Sequence, residues 1–352
     1  MTPSVLAASW WCSSTRSKWT WSPSPYLGAW VILIAIMATA IWWQRKGRYQ
    51  EPKPDPRADA EIAKGSGPYP GSPTSRKIAF VFGLIGLWAT LDWPLATLGA
   101  AYLATAQMAR QVLMVMVVAP LLLYACPTNF AIRMVGWGRG LAALRVVARP
   151  FFALPVAAIT LLAVNTPVVV DPLVRTPFGA FVLDGMWVVA GFVLWLPVQC
   201  PHPAIKRLVG PLALAYLIAQ SLVPILPGFW MTWADFPIFS VYELAPRVIE
   251  GFDAVNDQNA AAAVLQVGGS IILWLQIAFR FLTWGYSQME DGRGARPRPS
   301  TTRVPVPTET VGASASASAG SGGGAQGAGA RRESSGGGPV TETIHGEPAV
   351  GS

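Results

Sequence analysis

The chain has 352 residues, of which 52% are hydrophobic and only 12% charged, with a formal net charge of +8. Soluble proteins carry about 25% charged residues, so the composition argues against an ordinary soluble domain. The positive balance does not point to nucleic acid, because all the basic residues but Arg110 and Arg280 lie in loops and a tail and form no compact patch interleaved with aromatics.

Residues 1–25 read as a polar N-terminal arm whose Trp10, Trp11, Trp19 and Trp21 suit the outer membrane interface. No cleavable signal peptide is expected, since the apolar stretch 5–11 is short and no positive segment precedes it. Seven apolar stretches follow, at 26–43, 78–95, 107–126, 150–170, 179–198, 210–229 and 259–284, each near the ~20 residues that cross a ~30 Å hydrocarbon core. The connecting segment 44–77 is rich in Pro, Gly and charge and reads as an exposed inner loop. Residues 128–149 carry Arg133, Arg139, Arg145 and Arg149 and are expected to form a short interfacial helix. The loop 228–258 is the largest outer element. From about residue 291 the chain is low in complexity and reads as a disordered cytoplasmic tail, so the divisions are 1–25, 26–290 and 291–352.

Lys and Arg sort by side. The segments 44–77, 128–149 and 199–209 and the tail hold twenty of them, while the alternate segments hold four, Arg16, Lys18, Arg175 and Arg247. Positive charge collects on the cytoplasmic side. The expected fold is therefore an all-α integral membrane protein, a seven-transmembrane-helix bundle with its N-terminus outside and its C-terminus cytoplasmic. The three cysteines, Cys12, Cys126 and Cys200, form no C-x-x-C pair, and no disulfide framework is expected.

Polar residues inside a bilayer are costly and point to function by default. By depth, Asp92 ends the second stretch and Gln107, Arg110 and Gln111 open the third. Asn165 and Asp171 close the fourth, Asp184 lies inside the fifth, and Asp257 with Gln258 begins the seventh. All fall toward the outer face. Two readings stand for Asp92, Asp171 and Asp257: helix caps facing headgroups, or members of a functional cluster. Asp184 lies deeper, where an unpaired carboxylate is expensive, and Arg110 at similar depth is its natural partner. The histidines are His202, in an inner loop, and His345, in the tail, and neither reaches this cluster. There is no phosphate-binding loop, dinucleotide fingerprint, H-E-x-x-H or G-x-S-x-G. No enzymatic activity, catalytic residue or haem is expected.

The order of motifs resembles the bacterial caa(3)-type cytochrome c oxidase assembly factors, the CtaG family. Trp19-Thr20-Trp21-Ser22-Pro23 resembles that family's W-x-x-x-P, and Trp93-Pro94-Leu95-Ala96-Thr97-Leu98 its S-P-L-D-x-L. Ala106-Gln107-Met108-Ala109-Arg110-Gln111 resembles A-H-M-x-Q-H, followed by Leu113-Met114 and by Ala119-Pro120 onward to Pro127. Asn165-Thr166-Pro167 with Asp171 resembles H-x-P-x-x-Y-D. Gly191, Trp195 and Pro197 resemble G-x-x-x-W-x-P, and Asp257-Gln258 with Ala261 resembles D-Q-x-x-A. The resemblance spans about 19–290. It implies a multi-pass protein of the bacterial inner (plasma) membrane that takes part in the assembly of a haem–copper oxidase, with oxidase subunits as partners.

The departures are specific. Gln107, Gln111, Asn165, Ala180 and Asp184 stand where the family pattern has histidines, and Ala96 and Leu183 where it has acids. Imidazole is a good copper ligand, whereas Gln and Asn amides are poor ones, so no metal ligand is assigned and direct copper binding is doubtful. Met108 and Met186 lie in the outer halves of their helices and read as packing side chains. Two other readings remain: an accessory subunit of a membrane redox complex, and a small-solute or metal permease, for which Gln220, Gln266 and Gln276 are the inner polar candidates.

Overall fold

The computed structural model describes residues 10–15, 17–47, 60, 62–63, 65–66 and 71–294. Most of the segment 44–77, expected as an inner loop, and nearly all of the tail expected from 291 lie outside the described residues, as does His345. Among the described residues there are helices and connecting turns and no strand.

The helices are α1 (Leu27–Gly47), α2 (Pro73–Leu91), α3 (Leu95–Ala101), α4 (Ala104–Ala125), α5 (Thr128–Val135), α6 (Arg139–Val147), α7 (Pro150–Ala163), α8 (Pro167–Val174), α9 (Pro177–Gln199), α10 (Gly210–Gln220), α11 (Ile225–Trp233) and α12 (Ser240–Glu243), followed by α13, which starts at Ala254 and ends at Gly294. Their starts follow local chemistry. Ser72 accepts from Ser75 N at 3.1 Å, Thr176 from Gly179 N at 3.0 Å and Asp253 from Asn256 N at 2.7 Å, each supplying an acceptor for an orphan amide of a first turn. Pro73, Pro150, Pro167 and Pro177 stand first in α2, α7, α8 and α9, where a missing N–H costs nothing.

Among the described residues four helical segments are long and apolar enough to cross a membrane: Ala104–Ala125, Pro177–Gln199, Gly210–Trp233 and Ala254–Tyr286. Two further candidates are bent pairs, α2 with α3 at 41° and α6 with α7 at 74°, and Leu27–Trp43 is a shorter apolar stretch. The structure thus supports four to six spans by length and composition, where the sequence predicts seven. The fourth predicted stretch is not one helix. Thr166, held extended at φ −89° and ψ 144° before Pro167, separates α7 from α8. Residues 221–224 likewise interrupt the sixth. The seventh starts at Ala254, five residues before its expected start, because Asp253 caps it, and it runs to Gly294, past the expected boundary at 290. The expected interfacial helix of 128–149 is two helices, α5 and α6, parted at Gly136, whose φ of 71° favours glycine.

The centre of the bundle is α4. It packs against α2, α9 and α13, and 61% of its span is buried, against 50% for α9 and 28% for the α13 span. Gly191 of α9 permits the close approach: a Cβ there would lie 2.8 Å from the Ala119 Cβ and 3.2 Å from the Val115 Cα. At this crossing α4 widens into a π turn, Met114–Val118. Two side chains serve its carbonyls: Trp195 Nε1 donates to Val115 O at 2.8 Å and Gln276 Nε2 to Met116 O at 2.9 Å. A second π turn, Val264–Gly268, lies in α13. Outward faces are apolar, with Val31, Phe82, Phe151, Val189, Leu212 and Leu275 all exposed.

Candidate functional site

Arg110 lies in the second turn of α4, faces the bundle interior and is 1% exposed. Gly99 of α3 makes room for it, since a Cβ there would stand 2.8 Å from Arg110 Cδ. Its guanidinium donates in three directions. Nε donates to Thr90 O at 2.7 Å and Nη1 to Gln107 Oε1 at 2.9 Å. Nη2 donates to Asp184 Oδ1 and Oδ2 at 2.9 and 2.8 Å, and approaches Cys12 Sγ at 3.8 Å. The plane lies 5.7 Å from the Trp187 ring centroid, in cation–π range. Asp184 of α9 is 3% exposed and accepts a further bond from Trp11 Nε1 at 3.0 Å. The pairing expected of Arg110 and Asp184 is therefore present, and it ties α4 to α9 through a fully hydrogen-bonded ion pair.

The N-terminal arm closes one end of this cluster. Trp11 is 1% exposed and packs edge-on against Phe181 at 5.1 Å. Ser14 N donates to Val174 O, and Gly28 N to Trp10 O, both at 2.8 Å. Of the four arm tryptophans expected at the interface, Trp11 is instead a core residue, while Trp21 is well exposed. Burial pushes the Cys12 thiol up to about 12, with Arg110 opposing, so the sulfur is a neutral thiol at ordinary pH.

The remaining predicted polar residues do not join one cluster. Asp257 is buried beside the start of α4 and accepts from Ala104 N at 2.7 Å, Thr105 N at 3.0 Å and Thr105 Oγ1 at 2.6 Å. A carboxylate on one helix thereby caps the N-terminus of another, where the helix dipole favours negative charge. Asp171 does the same for α12, accepting from Ser240 N, Ser240 Oγ and Val241 N. Asp92 binds α1 to α2, accepting from Tyr26 N and from Trp30 and Trp88 Nε1. Asn165, in the turn after α7, donates back to Leu161 O at 2.6 Å, and its Oδ1 has no partner among the described residues. Gln111 is buried but is not among the Arg110 partners. Gln258 accepts from Ile238 N and donates to Met231 O, and so fixes the segment between α11 and α12.

Sequence reasoning missed Trp11, Cys12, Thr90 and Tyr242. The Tyr242 hydroxyl donates to Gly99 O at 2.7 Å, and burial holds it well above the ordinary phenol range. Only the aromatic character of the arm offered a signal. His202 is buried on Trp137, with ring centroids 5.3 Å apart, in a small separate core with Leu141, Cys200 and Ile205. Burial lowers its pKa.

Chemically, the central cluster is a closed ion pair. Its carboxylate is engaged, its amide oxygen accepts from Arg110, and its thiol is protonated. Among the described residues no group of three or more His, Cys, Asp and Glu is placed to hold a metal ion. A copper ion here would have to compete with the Arg110 guanidinium for the Asp184 carboxylate and the Gln107 amide oxygen, so this donor set does not fit copper.

The family model for the cytochrome c oxidase caa3 assembly factor matches residues 61–286, well over half of the chain. No curated protein and no solved structure matches it.

Proposed function

The chain belongs to the cytochrome c oxidase caa3 assembly factor family, and from that premise we propose that it acts in the bacterial inner membrane as a biogenesis factor for a haem–copper oxidase. The family match over 61–286 carries this reading.

The membrane account is seven crossings: α1, α2 with α3, α4, α7 with α8, α9, α10 with α11, and α13. The N-terminus is outside and the C-terminus cytoplasmic, with 291–352 as a tail and 1–25 as an outer arm. The sorting of twenty basic residues against four supports the orientation, and the exposed apolar faces support burial in lipid. The Arg110 cluster then lies toward the outer face.

The mechanism we infer is docking to oxidase subunits, without catalysis and without copper held at the Arg110 cluster. Supporting this, Gln107, Gln111 and Asn165 stand where the family pattern has histidines, and the ion pair occupies the space between α4 and α9. The guanidinium supplies a fixed positive charge and five donors, so the cluster holds helices at a set spacing.

The test is a chromosomal deletion, read as the amount of assembled oxidase by native gel and haem absorbance. Assembled oxidase should fall and return with the wild-type chain. It should also return with a Cys12→Ser chain, because no metal thiolate is required. Unchanged oxidase in the deletion would remove the reading, and failure of Cys12→Ser in a folded protein would remove its copper-free form.

A further inference from the structure

Basic segments that are far apart in the chain meet at one end of the bundle, the end where α4 finishes. The Ser75 hydroxyl at the start of α2 lies 2.8 Å from the hydroxyl of Tyr124, in the last turn of α4. Trp43, near the end of α1, packs edge-on against Phe130 of α5 with ring centroids 5.3 Å apart. Trp137, between α5 and α6, packs on His202, and Leu141 of α6 shares a small core with Cys200, Ala204 and Ile205. These contacts bring Arg45, Lys77, Arg133, Arg139, Arg149 and Lys206 to this end, all of them exposed. The segments 27–47, 71–91, 126–150 and 199–210 that carry them contain no Asp or Glu. All but Arg139 stand within three residues of an exposed apolar side chain: Trp42, Ile78, Met134, Phe151 or Val209. Arg133 is also oriented, its guanidinium carbon 5.3 Å from the Trp43 ring centroid. Stacking uses the face of the guanidinium and leaves its N–H edge for an oxyanion.

We propose that this end of the bundle is a binding surface for anionic phospholipid, with the Arg and Lys heads on headgroup phosphates and the adjoining apolar side chains among the acyl chains. The proposal rests on the membrane reading above and not on the oxidase role. The pattern selects the partner. Cations whose own segments hold no acid attract a negative leaflet, and each one near such a surface strengthens binding about five-fold. The apolar neighbours set the depth, since a side chain buried at the acyl boundary leaves a long cation beside it at the phosphates. A nucleic acid would match the charge and leave Phe151, 95% exposed, in water; a leaflet matches both.

The experiment is native mass spectrometry of the full chain, released from detergent micelles that hold equal amounts of phosphatidylglycerol and phosphatidylcholine with the same acyl chains. Phosphatidylglycerol adducts should exceed phosphatidylcholine adducts by about five-fold or more. Arg133→Gln combined with Arg139→Gln should lower that preference severalfold, and the matching Lys pair should restore most of it. Both sites are exposed, so the Gln pair should keep the wild-type unfolding temperature in detergent. Arg247→Gln removes an exposed cation beside Tyr242, at the opposite end of α4, and should leave the preference unchanged. Equal adducts of the two lipids on the wild-type chain would overturn the proposal, and stable RNA adducts in their place would reassign the surface to nucleic acid. A preference that survives the Gln pair, or that Arg247→Gln lowers as much, would also overturn it. A chain that stays in solution without detergent would remove the membrane reading and the proposal together, which tells the two failures apart.

Discussion

Replacing Asp184 with Ala tests the core of the site. The two side chains of the pair are 1% and 4% exposed, so the guanidinium left behind cannot reach solvent. It would keep Thr90 O, Gln107 Oε1 and Cys12 Sγ as neighbours and lose its only charged partner in the cluster, while Trp11 Nε1 would lose its acceptor. Breaking a buried pair from one side costs about 3–5 kcal/mol, because an uncompensated charge remains. Removing both members, as in Arg110→Met with Asp184→Leu, removes that charge and should be close to neutral, within about 1–2 kcal/mol of wild type. The assay is equilibrium unfolding in mixed detergent micelles on all four corners of the double-mutant cycle, which isolates the pair energy. A single Asp184→Ala variant within about 1 kcal/mol of wild type would refute the reasoning, since no buried pair leaves so small a trace. So would a double variant as unstable as the sum of the singles.

Asp257→Ala should cost about 2 kcal/mol in the same assay, because the Ala104 and Thr105 amides lose their shared acceptor, with protection of those two amides from hydrogen exchange falling first. Gly99→Ala should cost about 1–3 kcal/mol, since its methyl would fall 2.8 Å from Arg110 Cδ and 3.0 Å from Gln107 N. Cys12 has its thiol raised from an ordinary 9.0 to about 12, so the folded state binds this proton more tightly than the unfolded one. Its contribution to stability is complete below pH 9 and declines as pH rises from 9 toward 12. The slope should be shallower in Cys12→Ser, and alkylation of the folded protein at pH 8 should be slower than that of the denatured chain by orders of magnitude.

Which polar residues fall inside apolar stretches was legible in the sequence, and helix adjacency was not. Arg110 and Asp184 could be paired because both are charges placed within apolar stretches, where each is too costly to leave alone. Thr90 and Gln107 join them through groups that carry no pattern: a backbone carbonyl and an amide one turn away. Trp11 read as an interface anchor because a tryptophan in a polar arm normally is one. Its burial follows from the arm folding back onto α9, a long-range event with no local signature. The other carboxylates dispersed for a related reason. Asp257 and Asp171 satisfy amides of distant segments, and the linear chain shows the acid without the helix start it serves. The break before Pro167 was written in the sequence, but a continuous apolar run masked it, since hydropathy does not register backbone geometry.

The most direct test of the account is affinity purification of the tagged full-length protein from its native membrane in mild detergent, with the co-purifying subunits quantified. The account predicts an oxidase core subunit in sub-stoichiometric amount and enriched in immature forms. A fixed one-to-one ratio with a mature complex, or recovery of the protein alone, would contradict it.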